Sequence, residues 1–133
     1  MLNTSADLSI PTSWVDWAIG GISLFIGDST ITSASVLTTK LASEKGNADI
    51  TGSNYRSAIG IKSGKIVLAV IDQATPFEVR GIMSSLGCYD GVMLDGSTAS
   101  KMRYKNANGT VGTVSFGSRP TVSTVTITNA TWL

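Results

Sequence analysis

A strongly signalled helix lies between two apolar runs in the second half of this sequence. Thr75-Pro76-Phe77-Glu78 combines a capping box with proline at the first helical position. Four apolar residues follow at helical spacing, and a glycine at position 87 supplies the stop: Val79, Ile82, Met83 and Leu86. The sequence therefore predicts a helix over about 75–86 whose apolar stripe packs on a sheet.

The two apolar runs have the length and composition of buried strands. They are Lys65 to Ile71, before the helix, and Val92 to Leu94, after it. A strand, a helical crossover and a second strand in one sheet normally run parallel with a right-handed connection. If the two runs share a sheet, we expect them to end at the same edge of it.

Short β-like runs separated by Gly, Asn and Ser make up most of the remaining chain. Further strands are predicted at Ile22 to Ile26, Ser57 to Ile61, Lys101 to Lys105, Thr110 to Phe116 and Thr121 to Thr128. Two segments are predicted hairpin turns, because glycine and asparagine tolerate a positive φ: Lys62-Ser63-Gly64 and Asn106-Ala107-Asn108-Gly109. The segment Ser35 to Lys45 is compatible with a second helix or with a loop.

The length and composition restrict both fold and function. A chain of 133 residues has room for one domain, so we predict a single α+β domain over 1–133 with a mixed, mostly antiparallel sheet. The sequence has no histidine and one cysteine, which excludes Ser-His-Asp triads, intrachain disulfides and Cys/His metal clusters. No metal or cofactor is predicted. A net charge of +1 argues against a nucleic-acid partner.

The N-terminal sequence carries no secretory signal, and no apolar stretch reaches the length of a membrane span. Residues Met1 to Pro11 lack a basic n-region and a continuous apolar h-region. The longest apolar runs have only strand length. We therefore predict a cytoplasmic protein with no membrane partner, with virion association or a mature secreted product as open alternatives.

Charged side chains at predicted strand ends are the first indication of a functional site. Asp95 ends a buried strand and is followed by Gly96, which allows a ligand to approach the backbone. Asp72 follows the neighbouring apolar run, so a parallel unit would bring both carboxylates to one edge. Arg56 begins another predicted strand, where it is suited either to bind an anion or to pair with a structural carboxylate.

Several segments match, in order, motifs that occur together in one enzyme family. They are Trp17 to Leu24 with its Gly-Gly pair, Arg56-Ser57-Ala58-Ile59-Gly60, Leu94-Asp95-Gly96 with Ser100 and Met102, and Arg119-Pro120-Thr121-Val122. Over about residues 17–128 the chain thus resembles the phosphodiester glycosidase family, the domain of the enzyme that uncovers mannose 6-phosphate. Members carry an Arg-Thr-Ala-Ile-Gly-like strand, an Asn-Leu-Asp-Gly-Gly-Gly-Ser-Ser-like loop and a late Arg-Pro-Val strand.

The chain departs from this family pattern around Asp95. Met93 stands where the family has asparagine, and two glycines and a serine are replaced by Ser97, Thr98 and Ala99. Glycines would let backbone N–H groups cradle a phosphate, and a β-branched threonine disfavours a positive φ. The family's Asn-Gly-Phe-Phe-like segment has no match before Trp17. We therefore expect a reduced domain that completes its site by oligomerising or that has lost catalysis.

The resemblance implies a ligand in which a sugar is joined to phosphate. On this hypothesis the chain hydrolyses the glycosidic phosphodiester bond, with Asp95 and Asp72 handling protons. The implied substrate-binding residues are Arg56, Ser97, Ser100 and Arg119.

Two other functions remain open at this point. One is non-catalytic binding or sequestration of a sugar phosphate or nucleotide-like small molecule, which the glycine-poor loop favours. The other is a structural or assembly subunit, which the Ser/Thr-rich strands and low charge favour. For all three functions we expect a homo-oligomer, because an open sheet edge needs to be covered.

Overall fold

Two α-helices and two antiparallel sheets form the part of the chain that a computed structural model describes, residues 19–44, 48–120 and 125–127. This confirms the predicted α+β class. The elements follow in the order β1 (Ile22–Ser23), α1 (Ala34–Leu41), β2 (Asn54–Lys62), β3 (Lys65–Ala74), α2 (Pro76–Ser85), β4 (Asp90–Met93), a 3-10 turn (Ser97–Ala99), β5 (Lys101–Lys105) and β6 (Val111–Ser115).

The larger sheet has the strand order β1-β4-β2-β3, and each neighbouring pair is antiparallel. Ala58 of β2 lies between Ala69 of β3 and Met93 of β4. Because β3 and β4 are both antiparallel to β2, they run in the same direction, as predicted for the two strands that flank the helix. The sequence did not indicate that β2 lies between them.

Helix α2 begins with the predicted capping box. The Thr75 hydroxyl accepts from the Glu78 backbone N–H at 3.3 Å, and the Glu78 carboxylate accepts from the Thr75 N–H at 2.8 Å. Val79 and Met83 are fully buried against the sheet. The helix packs closely there because Gly60 has no side chain: a Cβ at this position would lie 2.7 Å from the Met83 methyl carbon.

Helix α1 confirms the helical alternative for the segment that follows Ser33. The Ser33 hydroxyl caps it by accepting from the Val36 N–H at 3.4 Å. Its apolar side pairs with two residues from flanking loops in a second core cluster, made of Ile31, Leu37, Leu41 and Ile50.

Both predicted hairpin turns are present. β2 and β3 are joined by Ser63 and Gly64, whose φ angles are 42° and 76°. The turn between β5 and β6 has Gly109 at a φ of 86°. These two strands form a separate two-stranded ribbon rather than extending the larger sheet.

Two strand predictions differ from the structure. The strand predicted from Ile22 to Ile26 ends at Ser23, because Phe25 adopts a φ of 47° and the Asp28 N–H closes a turn onto its carbonyl at 3.0 Å. Of the predicted strand Thr121 to Thr128, residues 125–127 are not in a strand, and the rest lies outside the described residues. Within the described ranges, no helix combines the length and apolar character required to cross a bilayer.

Candidate functional site

Asp95 lies just past the end of β4, on a loop that is still attached to β2. The Leu94 N–H donates to the Ser57 carbonyl at 2.8 Å. Gly96 then passes so close to β2 that a Cβ on it would lie 2.7 Å from the Tyr55 carbonyl oxygen. The Asp95 side chain is 76% exposed, and its Oδ1 accepts from the Gly96 N–H at 2.9 Å. The strand end therefore presents a carboxylate to solvent, as its sequence predicts.

Arg119 is the direct partner of this carboxylate. Its Nη2 donates to Asp95 Oδ2, and half of the Arg119 side chain is exposed. Lys101, at the start of β5, donates from Nζ to the Arg119 carbonyl at 2.9 Å. Two of the predicted site residues thus form an exposed carboxylate–guanidinium pair.

The segment that carries Arg119 is held against the Asp95 loop by three further contacts. The Phe116 N–H donates to the Ser100 carbonyl at 3.2 Å, and the Phe116 ring stacks on Tyr55 with centroids 4.5 Å apart. Gly117 lies against Thr98, so closely that a Cβ on it would be 2.4 Å from the threonine Cβ. The pair is therefore assembled by tertiary contacts.

Two serines of the loop have special environments. Ser97 has a φ of 57°, the left-handed conformation, at a position where the family pattern has glycine. Ser100 is completely buried, and its Oγ has no hydrogen-bond partner within the described chain. Contact between the Ser100 hydroxyl and a substrate stays a prediction and requires the loop to open.

The Arg56 side chain contacts the end of β3 and the loop before β2. It is buried, its Nε donates to the Ala74 carbonyl at 3.1 Å, and its Nη atoms donate to the carbonyls of Asp49 and Gly52 at 3.0 and 2.6 Å. Its Nη2 also contacts the Asp49 carboxylate at 3.3 Å. Of the two predicted roles, the structure shows pairing with a structural carboxylate, and binding of an anion by Arg56 stays a prediction.

The Asp49 carboxylate is stabilised in its ionised form at this junction. Backbone N–H groups of Gly52 and Thr51 donate to it at 2.8 and 3.0 Å, and these bonds lower its pKa. The positive charge of Arg56 lowers the pKa further. Arg56 and Asp49 thus fix the loop that leads into β2.

Asp72 is exposed near the end of β3 and is separated from Asp95 by β2. Its neighbour Ile71 pairs with Arg56, so the two aspartates flank the same end of β2. Two strand spacings place their backbones about 10 Å apart. The shared sheet edge agrees with the sequence-based prediction, but the closest charged partner of Asp95 is Arg119. No three Asp, Glu or Cys residues of the described ranges are grouped to hold a metal ion.

The Asp95 loop and the Arg119 segment are two of the motifs that carry the family resemblance, and they meet in space. A family model for phosphodiester glycosidases matches residues 7–129. The chain belongs to this family. A comparison with curated proteins finds no match, and neither does a comparison with solved structures. In this phosphodiester glycosidase family member, the exposed ion pair Asp95–Arg119 joins these two segments.

Sequence reasoning missed the aromatic and lysine contacts around the pair. Tyr55 immediately precedes Arg56, yet it stacks on Phe116 from the far end of β6. Lys101 is one of several exposed lysines, and nothing in its neighbourhood in the sequence distinguishes it. Tyr55 lies at the irregularity in the β2–β3 pairing between Asn54 and Arg56.

Proposed function

We propose that this family member hydrolyses the glycosidic bond of a sugar phosphodiester at the Asp95–Arg119 pair. The observation that carries this proposal is the exposed pair itself, whose two members lie in two of the segments that carry the family resemblance. A guanidinium can form two parallel hydrogen bonds to a phosphodiester and so stabilise negative charge on the leaving phosphate. A carboxylate within reach of the same bond can accept a proton.

The step follows from these two groups. Arg119 transfers its hydrogen bonds from Asp95 to the substrate phosphate, which leaves the carboxylate free. Asp95 then accepts a proton from a water molecule as the water oxygen bonds to the anomeric carbon. The bond from that carbon to the phosphate oxygen breaks, and the phosphate departs as a monoester that takes the electron pair. Ser97, two residues after Asp95 in the same loop, is a further candidate for contact with the phosphate.

Non-catalytic binding is the second candidate function, and one feature favours it. The second carboxylate expected for proton transfer, Asp72, lies on the other side of β2. A protein that uses only the Arg119 guanidinium would hold a sugar phosphate or nucleotide-like ligand and release it unchanged.

Mass spectrometry separates these functions. The purified chain is incubated with methyl N-acetylglucosamine 1-phosphodiester and with ADP-ribose, and both the solution and the native complex are analysed. Hydrolysis predicts a new product mass that Asp95→Asn abolishes. Asp90→Asn, at the opposite end of β4, is the matched control and should retain the product. An intact ligand on the protein supports binding alone, and the absence of both signals contradicts both functions and favours the assembly subunit.

A further inference from the structure

The acidic residues are unevenly distributed along this chain. All nine acidic residues lie within residues 1–95, whereas residues 96–133 contain four cations and no acid. The net charge of +1 conceals this division. Asp95 is the last acidic residue, and the cations that follow it are Lys101, Arg103, Lys105 and Arg119. The described residues after Asp95 thus carry four positive side chains and no negative one.

The register of the β5–β6 ribbon places three of these cations on one face. Lys101, Arg103 and Lys105 alternate along β5, so their side chains project to the same side. Opposite them on β6 are Ser115, Thr113 and Val111, and all six residues are exposed. Successive cations are about 7 Å apart along the strand. We call these six residues the cationic face.

The opposite face of the ribbon is the less exposed one. Met102 and Val114 are half-buried there, and β5 contacts β3. The Tyr104 ring lies directly over Gly112, where a Cβ would come within 2.3 Å of the ring. The ion pairs of the described residues involve none of the three β5 cations. Lys101 Nζ donates to the Arg119 carbonyl, a contact that does not neutralise its charge.

The cationic face is continuous with the candidate site. Lys101 bonds to the Arg119 carbonyl, and Arg119 pairs with Asp95. From Lys101 the row extends for about 13 Å to Lys105. A ligand bound at Asp95 and Arg119 can thus continue along β5 without leaving the positive surface.

We propose that the cationic face binds further phosphate groups of the substrate, which is therefore a chain of sugars joined by phosphodiesters rather than a single sugar phosphodiester. This inference rests on the proposed function of the Asp95–Arg119 pair. Regularly spaced cations match a ligand that repeats its negative charge, and the hydroxyls of Thr113 and Ser115 add hydrogen-bond donors between them. No acidic residue follows Asp95 in the sequence.

A sugar-phosphate chain fits this face better than single-stranded nucleic acid does. Proteins that bind single strands combine cations with aromatic side chains on which the bases stack. The cationic face has no aromatic residue, since Tyr104 lies on the opposite side of the ribbon. A ligand of sugars and phosphates requires only charge and hydrogen bonds.

The test measures binding, in the full chain carrying Asp95→Asn so that turnover does not interfere. The ligands are an oligomer of N-acetylglucosamine units joined through 1-phosphodiesters, its single repeat unit, and a single-stranded oligonucleotide of equal charge. Arg103→Gln/Lys105→Gln should weaken oligomer binding on the order of tenfold and reduce its salt dependence. The matched control, Lys62→Gln/Lys65→Gln on the β2–β3 hairpin, should change it less than twofold, and thermal melting verifies that both variants fold.

Three results would overturn the inference. They are equal losses in the two variants, an affinity for the single repeat as high as for the oligomer, and tighter binding of the oligonucleotide. Failure of the proposed function is distinguishable, because the same oligomer incubated with the unsubstituted chain would then bind through the cationic face and remain uncleaved.

Discussion

The guanidinium of Arg119 donates to the carboxylate of Asp95 across 24 positions of the chain. Both side chains are at least half exposed, so the pair contributes only about 0–1 kcal/mol to the free energy of unfolding. Its function can therefore be tested without unfolding the protein. It also connects the cationic C-terminal part of the chain to the last acidic residue.

Arg119→Lys should lower kcat/KM for a sugar phosphodiester by roughly 100-fold, because lysine keeps the charge but loses the two-pronged hydrogen bond to phosphate. Steady-state kinetics measures this loss, and urea unfolding should show a stability within about 1 kcal/mol of the unsubstituted chain. Unchanged kinetics would contradict a role of Arg119 in binding the substrate phosphate.

Ser97→Gly should stabilise the protein by about 1 kcal/mol. Serine at a φ of 57° is strained, whereas glycine adopts this conformation freely. Ser97→Ala is the matched control, since alanine removes the hydroxyl but keeps the Cβ and the strain. Urea unfolding of the two variants compares them, and a gain in Ser97→Ala as large as in Ser97→Gly would contradict the backbone explanation.

Arg56→Lys should destabilise the protein by about 2–3 kcal/mol. Lysine cannot donate to all three carbonyls that Arg56 holds, and partly buried acceptors are left without a donor. The same exchange at exposed Arg119 is the control and should change stability by less than about 1 kcal/mol. If Arg56→Lys instead keeps its stability and weakens substrate binding, the main role of Arg56 is to bind the substrate.

Local patterns predicted α2 and both hairpin turns, because their signals lie within a few residues, whereas for α1 they left a helix and a loop open. The capping box at Thr75 and the left-handed Gly64 are examples. Patterns at longer range predicted less: the insertion of β2 between β3 and β4 depends on contacts that no local motif encodes. The end of β1 at Ser23 also escaped prediction, since apolar residues continue through Ile26 while the backbone turns at Phe25.

The sequence offered Asp95 and Arg119 as separate candidates and did not predict their contact. The strand end after β4 indicated Asp95, and the family motif indicated Arg119, yet their contact requires the β5–β6 ribbon to fold back between them. Arg56 also lies in a segment that matches the family. Only its four contacts with Ala74, Asp49 and Gly52 show that its side chain is bound within the fold.

Stability should fall as the pH is lowered below about 5. Lys40 and the Thr30 hydroxyl and N–H bond to the Asp28 carboxylate and hold its pKa well below its usual range. A carboxylate with a lowered pKa stabilises the fold above its unfolded pKa of about 4 and loses that contribution as the pH falls through the folded value. Asp28→Asn should flatten the dependence of melting temperature on pH relative to the unsubstituted chain. Parallel curves for Asp28→Asn and the unsubstituted chain would contradict this assignment.

Ser100→Ala should leave stability unchanged or raise it by about 1 kcal/mol. A buried hydroxyl without a partner is unfavourable, since it has left water without gaining a hydrogen bond, and alanine fills nearly the same volume. Ser115→Ala is the comparison, because the Ser115 hydroxyl bonds to the Gly117 carbonyl at 3.0 Å and its removal should cost up to about 1 kcal/mol. Urea unfolding gives both values.

The same Ser100→Ala variant also decides whether this hydroxyl serves the substrate. If stability is retained and kcat/KM is unchanged, Ser100 only fills the space beneath the Asp95 loop. If stability is retained and KM rises while kcat is kept, the loop opens in the complex and the hydroxyl binds phosphate there. A large loss of stability would contradict the unpartnered state of the hydroxyl, because such a loss requires a hydrogen bond to be broken.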